Sequence, residues 1–311
     1  MTEAQPSESQ ASPRLTDAEK VRALPWSIGF GVLASSVFGA WTFFGSVFPL
    51  YLRELGLPKG QIGFLLSVFP FCGLIAPFVA PMLVRYGLKR ACLITYAGRN
   101  LVTALLLLRP FVLAAGGPAL ASSYVAAVVF TFAVLRALAE TAMFPWSQEY
   151  VPHAVRGRYG AASTILGTLA SIAAISAAGS VIGYGDGLGR FLWLQGAASL
   201  VGLIGTLLLI WVPGGAPARP AQGRSTHGCD VRKALRDGNF RHFLYGTGGI
   251  AIGGGMMVAF MPLMLVERVG VRPGTVIWLD NAGMIGSVAA SFLPGAMDCS
   301  ASSSHLEMSR M

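Results

Sequence analysis

Arg85-Tyr86-Gly87-Leu88-Lys89-Arg90 is a short basic turn between two long apolar stretches, 62–84 and 91–115. Each stretch reaches the roughly 20 apolar residues that a helix needs to cross a bilayer. The pattern repeats outward along the chain at 27–52, 122–149, 160–182, 190–212, 242–266 and 275–295. Backbone N–H and C=O groups find no water in hydrocarbon, so such stretches must satisfy them internally, as helices. The alternation of a β-barrel is absent. The chain therefore reads as an all-α membrane protein with eight spans.

Composition agrees. Of 311 residues, 54% are hydrophobic and 12% charged, where a soluble domain carries a charged fraction of about 25%. The net charge of +9 does not point to nucleic acid, because the basic residues sit in alternate loops rather than on one face. Arg14, Lys20 and Arg22 precede span one, Arg85, Lys89 and Arg90 follow span two, and Arg156 and Arg158 follow span four. Arg219, Arg224, Arg232, Lys233, Arg236 and Arg241 follow span six. The opposite loops carry only Arg53, Lys59, Arg190, Arg268 and Arg272. The positive-inside bias puts the N-terminus and the 213–241 segment in the cytoplasm; the expected location is the plasma (cytoplasmic) membrane, as a multi-pass protein. The tail 1–24 lacks the apolar region and cleavage site of a signal peptide. Cys72, Cys92, Cys229 and Cys299 are far apart without metal spacing, and His153, His227, His242 and His305 are scattered, so neither a metal site, a cofactor nor an enzyme constellation is expected.

Span six ends at Pro213-Gly-Gly-Ala-Pro217, which opens a flexible linker, 213–241. Within it, 231–243 reads as a basic amphipathic helix on the membrane surface. The linker separates a six-helix bundle, 25–212, from a shorter unit, 242–295. A weak repeat joins the two. Pro49, Gly56 and Gly60 after span one correspond to Pro262, Gly270 and Gly274 after span seven, allowing one inserted residue. Span seven thus restarts the pattern of span one, as in a transporter with two parallel halves.

With these features the chain resembles the major facilitator superfamily (MFS) of secondary transporters, over residues 25–295. The family's turn between spans two and three reads G-x-x-x-D-R-x-G-R-R/K. Arg85, Gly87, Lys89 and Arg90 match or nearly match it, while the glycine is Ala80, the acid Val84 and the first closing base Leu88. The resemblance implies that this turn belongs to a cytoplasmic gate, here without the acid that helps to latch it. Arg156-Gly157-Arg158 after span four resembles a second gate turn, with Gly157 allowing a tight turn and the arginines reaching lipid phosphates or helix ends. In span four, Arg136 lies where drug/proton antiporters of the family keep an arginine. The glutamine and glycine that should follow, and the Gly-Pro motif of span five, are missing, which argues against that branch.

Charges inside a membrane are expensive, by roughly 2.5–3.5 kcal/mol each on insertion scales, and tend to be functional. Arg99, Arg136, Glu140 and Asp280 are the candidates for a substrate and proton pathway. Arg136 and Glu140 share one helix face; they either neutralise each other or let Glu140 exchange a proton. Arg109 and Glu149 lie near span ends, where long side chains snorkel. Asp280 has no partner on its own helix. The resemblance places spans one, four and seven around a cavity, to which span one offers the aromatics Trp41, Phe44 and Phe48. Pro70, Pro77 and Pro81 should kink span two.

The resemblance implies transport of a small solute by alternating access, proton-coupled or facilitated, here in truncated form; a full-length parent is expected to be a monomer whose other contacts are membrane lipid. The family's two six-helix bundles exceed the spans present. The chain contains the N-terminal half and the first two helices of the second half, and then a polar tail, 296–311, that reads as out of frame after truncation. The competing reading is a non-transporting membrane scaffold or partner subunit, or a degenerate non-functional product.

Overall fold

The computed structural model describes residues 16–43, 45–184, 187–217 and 236–286. Expectations for 1–15, Phe44, 218–235, 287–295 and the tail 296–311 lie outside these residues. Among the described residues, six helices are long and apolar enough to cross a membrane. The third, Leu88–Tyr150, has 63 residues; as one rod it would be about 95 Å long, some three times the bilayer core. It is two spans. The backbone reverses at Gly117 (φ 72, ψ −174), a conformation that glycine adopts readily. Beyond the reversal the chain runs back alongside itself: Tyr124 OH donates to Leu105 O (2.8 Å), Gly98 faces Leu135, and Cys92 Sγ donates to Ala139 O (3.9 Å).

Span one starts at Asp17, ten residues before its expected start, because Thr16 and Glu19 form a reciprocal capping box. It also ends early. The helix stops after Trp41, Thr42 leaves helical geometry (φ −114, ψ −112), Gly45 takes φ 99, and a separate helix, Val47–Glu54, completes the crossing. Span two, Lys59–Tyr86, contains the expected prolines and is interrupted by a 3-10 turn at Gly73–Ile75. That turn lies where Pro77 has no N–H for the Gly73 carbonyl.

Spans five and six are His153–Tyr184 and Gly189–Trp211. Span seven is Gly238–Glu267, capped by the Asp237 side chain accepting from Asn239 N (2.9 Å). Residues 238–243, expected in a surface helix, are instead its first turns, since that cap starts one continuous helix. Span eight begins at 273 and is helical through 286.

Two clusters hold the bundle together. One centres on Phe43, Phe48, Phe69 and Phe132, with the Phe43 and Phe132 ring centroids 4.0 Å apart. The other surrounds Trp146, Tyr150, Tyr96 and Phe30. Glycines let span six approach closely. A Cβ on Gly205 would stand 2.8 Å from Ala34 N, and one on Gly202 would stand 2.8 Å from Phe38 and from Asn100 Oδ1. Large apolar side chains such as Phe78 and Trp193, 83% and 80% exposed, cover the outside. In water such a surface would drive aggregation; in lipid it is the solvated face.

Candidate functional site

The site begins with a defect in span one. Gly31–Val37 is a π-helix rather than an α-helix, a form concentrated at functional sites. Arg99 explains how it is held. Its Nη2 donates to the Ala34 carbonyl (2.6 Å), and its guanidinium lies 4.4 Å from the Phe38 ring centroid and 4.7 Å from that of Tyr96. Arg99 is 2% exposed. It therefore packs against spans one and four and is not among the residues lining the cavity. The π-segment places consecutive serines, Ser35 and Ser36, on the cavity wall.

That cavity measures about 910 Å³. Spans one and five form one wall, with Ser35, Ser36 and Ser171. Spans seven and eight form the other, with Met257, Met261 and Asp280. Asp280 reaches across to the break in span one: its Oδ2 accepts from Ser46 N–H (3.0 Å) and its Oδ1 from Ser46 Oγ (2.8 Å). Gly45 fits beside it, where a Cβ would lie 3.5 Å from Oδ2. One residue on, Asn281 Nδ2 donates to Ser176 Oγ (2.9 Å). At the start of span eight, Gly274 packs against Gly183 and the Gly179 carbonyl so closely that a Cβ would stand 2.8 Å from Gly183 Cα. Glu267 forms ion pairs with Lys59 and, at 3.5 Å, with Arg53.

All of these contacts tie spans seven and eight to the six-helix bundle at the end away from the basic turns, and they close the cavity there. At the other end, Phe243, Tyr245 and Ile250 of span seven are exposed at 67–79%. The Glu267 ion pairs are solvated, with side chains 28–65% exposed, so water and salt screen them and they hold the two parts together only weakly. Glu267→Gln is accordingly expected to change the rate of cysteine labelling at this closed end by less than about fivefold; a tenfold change would make the ion pairs the main closure.

The basic turns bind their own half. Gly87 adopts φ 105 between spans two and three. Lys89 Nζ donates to the carbonyls of Ile210 (2.8 Å) and Val212 (2.7 Å), neutralising the end of span six. Residues 213–217, expected to be flexible, are docked. Lys89 N donates to Gly215 O (3.2 Å), Trp146 Nε1 donates to Pro213 O (3.2 Å), and Glu149 Oε2 accepts from Gly215 N (3.0 Å). Glu149 is thus an anchor as well as a span-end charge. Ser27, Tyr150 and Tyr159 join hydroxyls from spans one, four and five.

Arg85, Arg90 and Arg158 are exposed, and Arg156 Nη2 donates to Gln148 O (3.5 Å). Gly157 does not make the expected turn: it lies inside the helix Arg156–Tyr184, and the turn is made by Pro152–Val155. Arg136 is partly buried and Glu140 exposed on span four, and neither lines the cavity. Trp41 Nε1 donates to Ala174 O (2.7 Å), joining spans one and five. Phe48, expected at the cavity, is fully buried in the aromatic cluster, because the break at 42–46 redirects the chain before it. The sequence carried no signal for the π-segment. For Ser46 it carried only the neighbouring Gly45.

A comparison with curated proteins finds no match. Among solved structures the fold is similar to the "Crystal structure of nucleoside transporter NupG", with a TM-score of 0.55 and 13% identity, over 90% of this chain and 68% of that one. At that identity the likeness is one of fold. The sequence profile described as Major Facilitator Superfamily matches residues 30–306, running past Pro294-Gly295 into the polar tail. An all-helical arrangement of the described residues, with six helices long and apolar enough to cross a membrane, and a profile match over most of the chain agree: this is a multi-pass membrane protein that belongs to the Major Facilitator Superfamily.

Proposed function

We propose that the chain moves a small solute across the cytoplasmic membrane by alternating access, coupled to H+, with the cavity between spans one, five, seven and eight as the solute site. The observation that carries this reading is that the cavity has one wall in each unit and is closed at one end only by contacts between them. Halves that rock would break those contacts and expose the cavity to the opposite side. The positive-inside bias puts the basic turns in the cytoplasm, so the closed end faces outward and this conformation is the inward-facing one.

For proton coupling, Glu140 is the exchanging group: it is exposed on span four, about 15 Å along the helix from the basic end at Tyr150. The test is uptake into proteoliposomes containing the intact chain, with and without an imposed pH gradient, over a panel of labelled sugars, nucleosides, organic acids and amines. At least one solute is expected to accumulate in response to the gradient, and Glu140→Gln is expected to abolish that response while leaving downhill flux. Unchanged pH dependence in Glu140→Gln would remove Glu140 as the coupling residue. No uptake of any panel member would count against transport.

A further inference from the structure

We infer that the cavity binds a monovalent organic cation with Asp280 as its counter-ion, an inference that rests on the transport reading of this cavity. Among the described residues lining it, Asp280 is the only charged one. Its hydrogen bonds come from Ser46, through N–H and Oγ, and both donors are neutral. The ion pairs among the described residues lie elsewhere, at Glu267 and at Glu54 with Arg190. Among the described residues, nothing at this carboxylate supplies the positive charge that an intramembrane acid calls for.

The rest of the lining fits such a ligand. Ser35, Ser36 and Ser171 bring hydroxyl oxygens to the opposite wall, and these can accept ammonium N–H groups. Met257, Met261 and Met284 supply flexible, polarisable walls for an apolar body. An anionic ligand would meet Asp280 with no basic side chain in the lining to offset the repulsion. A neutral polyol would leave the carboxylate's charge uncompensated. The cation also has a mechanical consequence. The oxygens that would bind it are the ones that hold Ser46, so an occupant competes with the hydrogen bonds joining span eight to the break in span one.

The test uses three probes of matched shape and different charge: phenethylammonium, 2-phenylethanol and 3-phenylpropionate. Each is titrated calorimetrically into the intact chain in nanodiscs. The wild type is expected to bind the ammonium at least about tenfold more tightly than the alcohol, with no detectable carboxylate binding, and Asp280→Asn should reduce the ammonium to the level of the alcohol. Should Asp280→Asn fail to fold, Ser171→Arg serves instead: it puts a base in the cavity and should abolish ammonium binding while admitting the carboxylate. Absence of ammonium binding in the wild type, preference for either other probe, or undiminished ammonium binding in Asp280→Asn would overturn the inference. Uptake of a neutral or anionic panel solute alongside such a result would leave the transport reading standing.

Discussion

Gly274→Leu is expected to hold the two units apart at their closed end and to reduce solute uptake by at least about tenfold, a population shift of about 1.4 kcal/mol or more. The reason is steric and is set by backbone atoms. A Cβ at position 274 would meet Gly183 Cα at 2.8 Å, the Gly179 carbonyl at 2.9 Å and Gly183 N at 3.0 Å. A flexible side chain could turn away from such a clash, but a packed helix backbone cannot. Gly274 is not among the glycines with positive φ, so leucine's own backbone geometry is acceptable and the penalty falls on the contact between units. Two readouts check this. In chains with no other reactive cysteine, Ser46→Cys should react at least about tenfold faster with a charged, membrane-impermeant thiol reagent when combined with Gly274→Leu. Uptake should fall in parallel. Equal labelling rates with and without Gly274→Leu would mean that this contact does not close the cavity.

Arg99→Ala should destabilise the six-helix bundle by about 4 kcal/mol, a large part of the roughly 5–15 kcal/mol that holds a typical domain together. Three losses add up. The guanidinium gives up two aromatic faces, at 4.4 Å and 4.7 Å, each worth about 0.5–2 kcal/mol. The Ala34 carbonyl loses its donor inside the bundle, which costs about 1–3 kcal/mol. The emptied volume lies in a core too tightly packed to collapse fully. Arg99→Met is expected to be milder, since it fills most of the volume and removes a buried charge together with its desolvation penalty. Arg99→Lys keeps the charge and loses the planar fork that lies over the rings. Denaturant titration in detergent micelles, followed by tryptophan fluorescence, separates the three. Arg99→Ala within about 1 kcal/mol of the wild type would show that this arginine does not hold the π-segment.

These two positions show how differently the sequence speaks. Arg99 was legible as an unusual residue, since a charge inside an apolar span is conspicuous. Its role was not. Whether an intramembrane arginine faces a cavity or a pair of aromatic rings depends on the rotation of its helix against three others, and hydropathy is blind to that. Gly274 was legible only as one member of a weak repeat with Gly60, and its contact with Gly183 joins segments far apart in the chain. The extent of span one shows the same limit. Hydropathy runs unbroken through 27–52, but the helix breaks at 42–46, because Gly45 and Ser46 meet an aspartate 234 residues away.

The sequence by itself determined that the chain is helical and crosses a membrane several times, and where its basic turns lie. Those properties follow from the length and apolarity of segments and from the charge of the turns between them, which are local. Only the tertiary structure decided that span one contains a π-segment and a break, that Arg99 is a packing residue, that 213–217 is docked on Lys89 and Glu149, and that Asp280 stands at a cavity facing Ser46. Each of these is a choice of partner by a polar group that hydrocarbon leaves few partners. Which partner comes within reach is set by the register and rotation of packed helices.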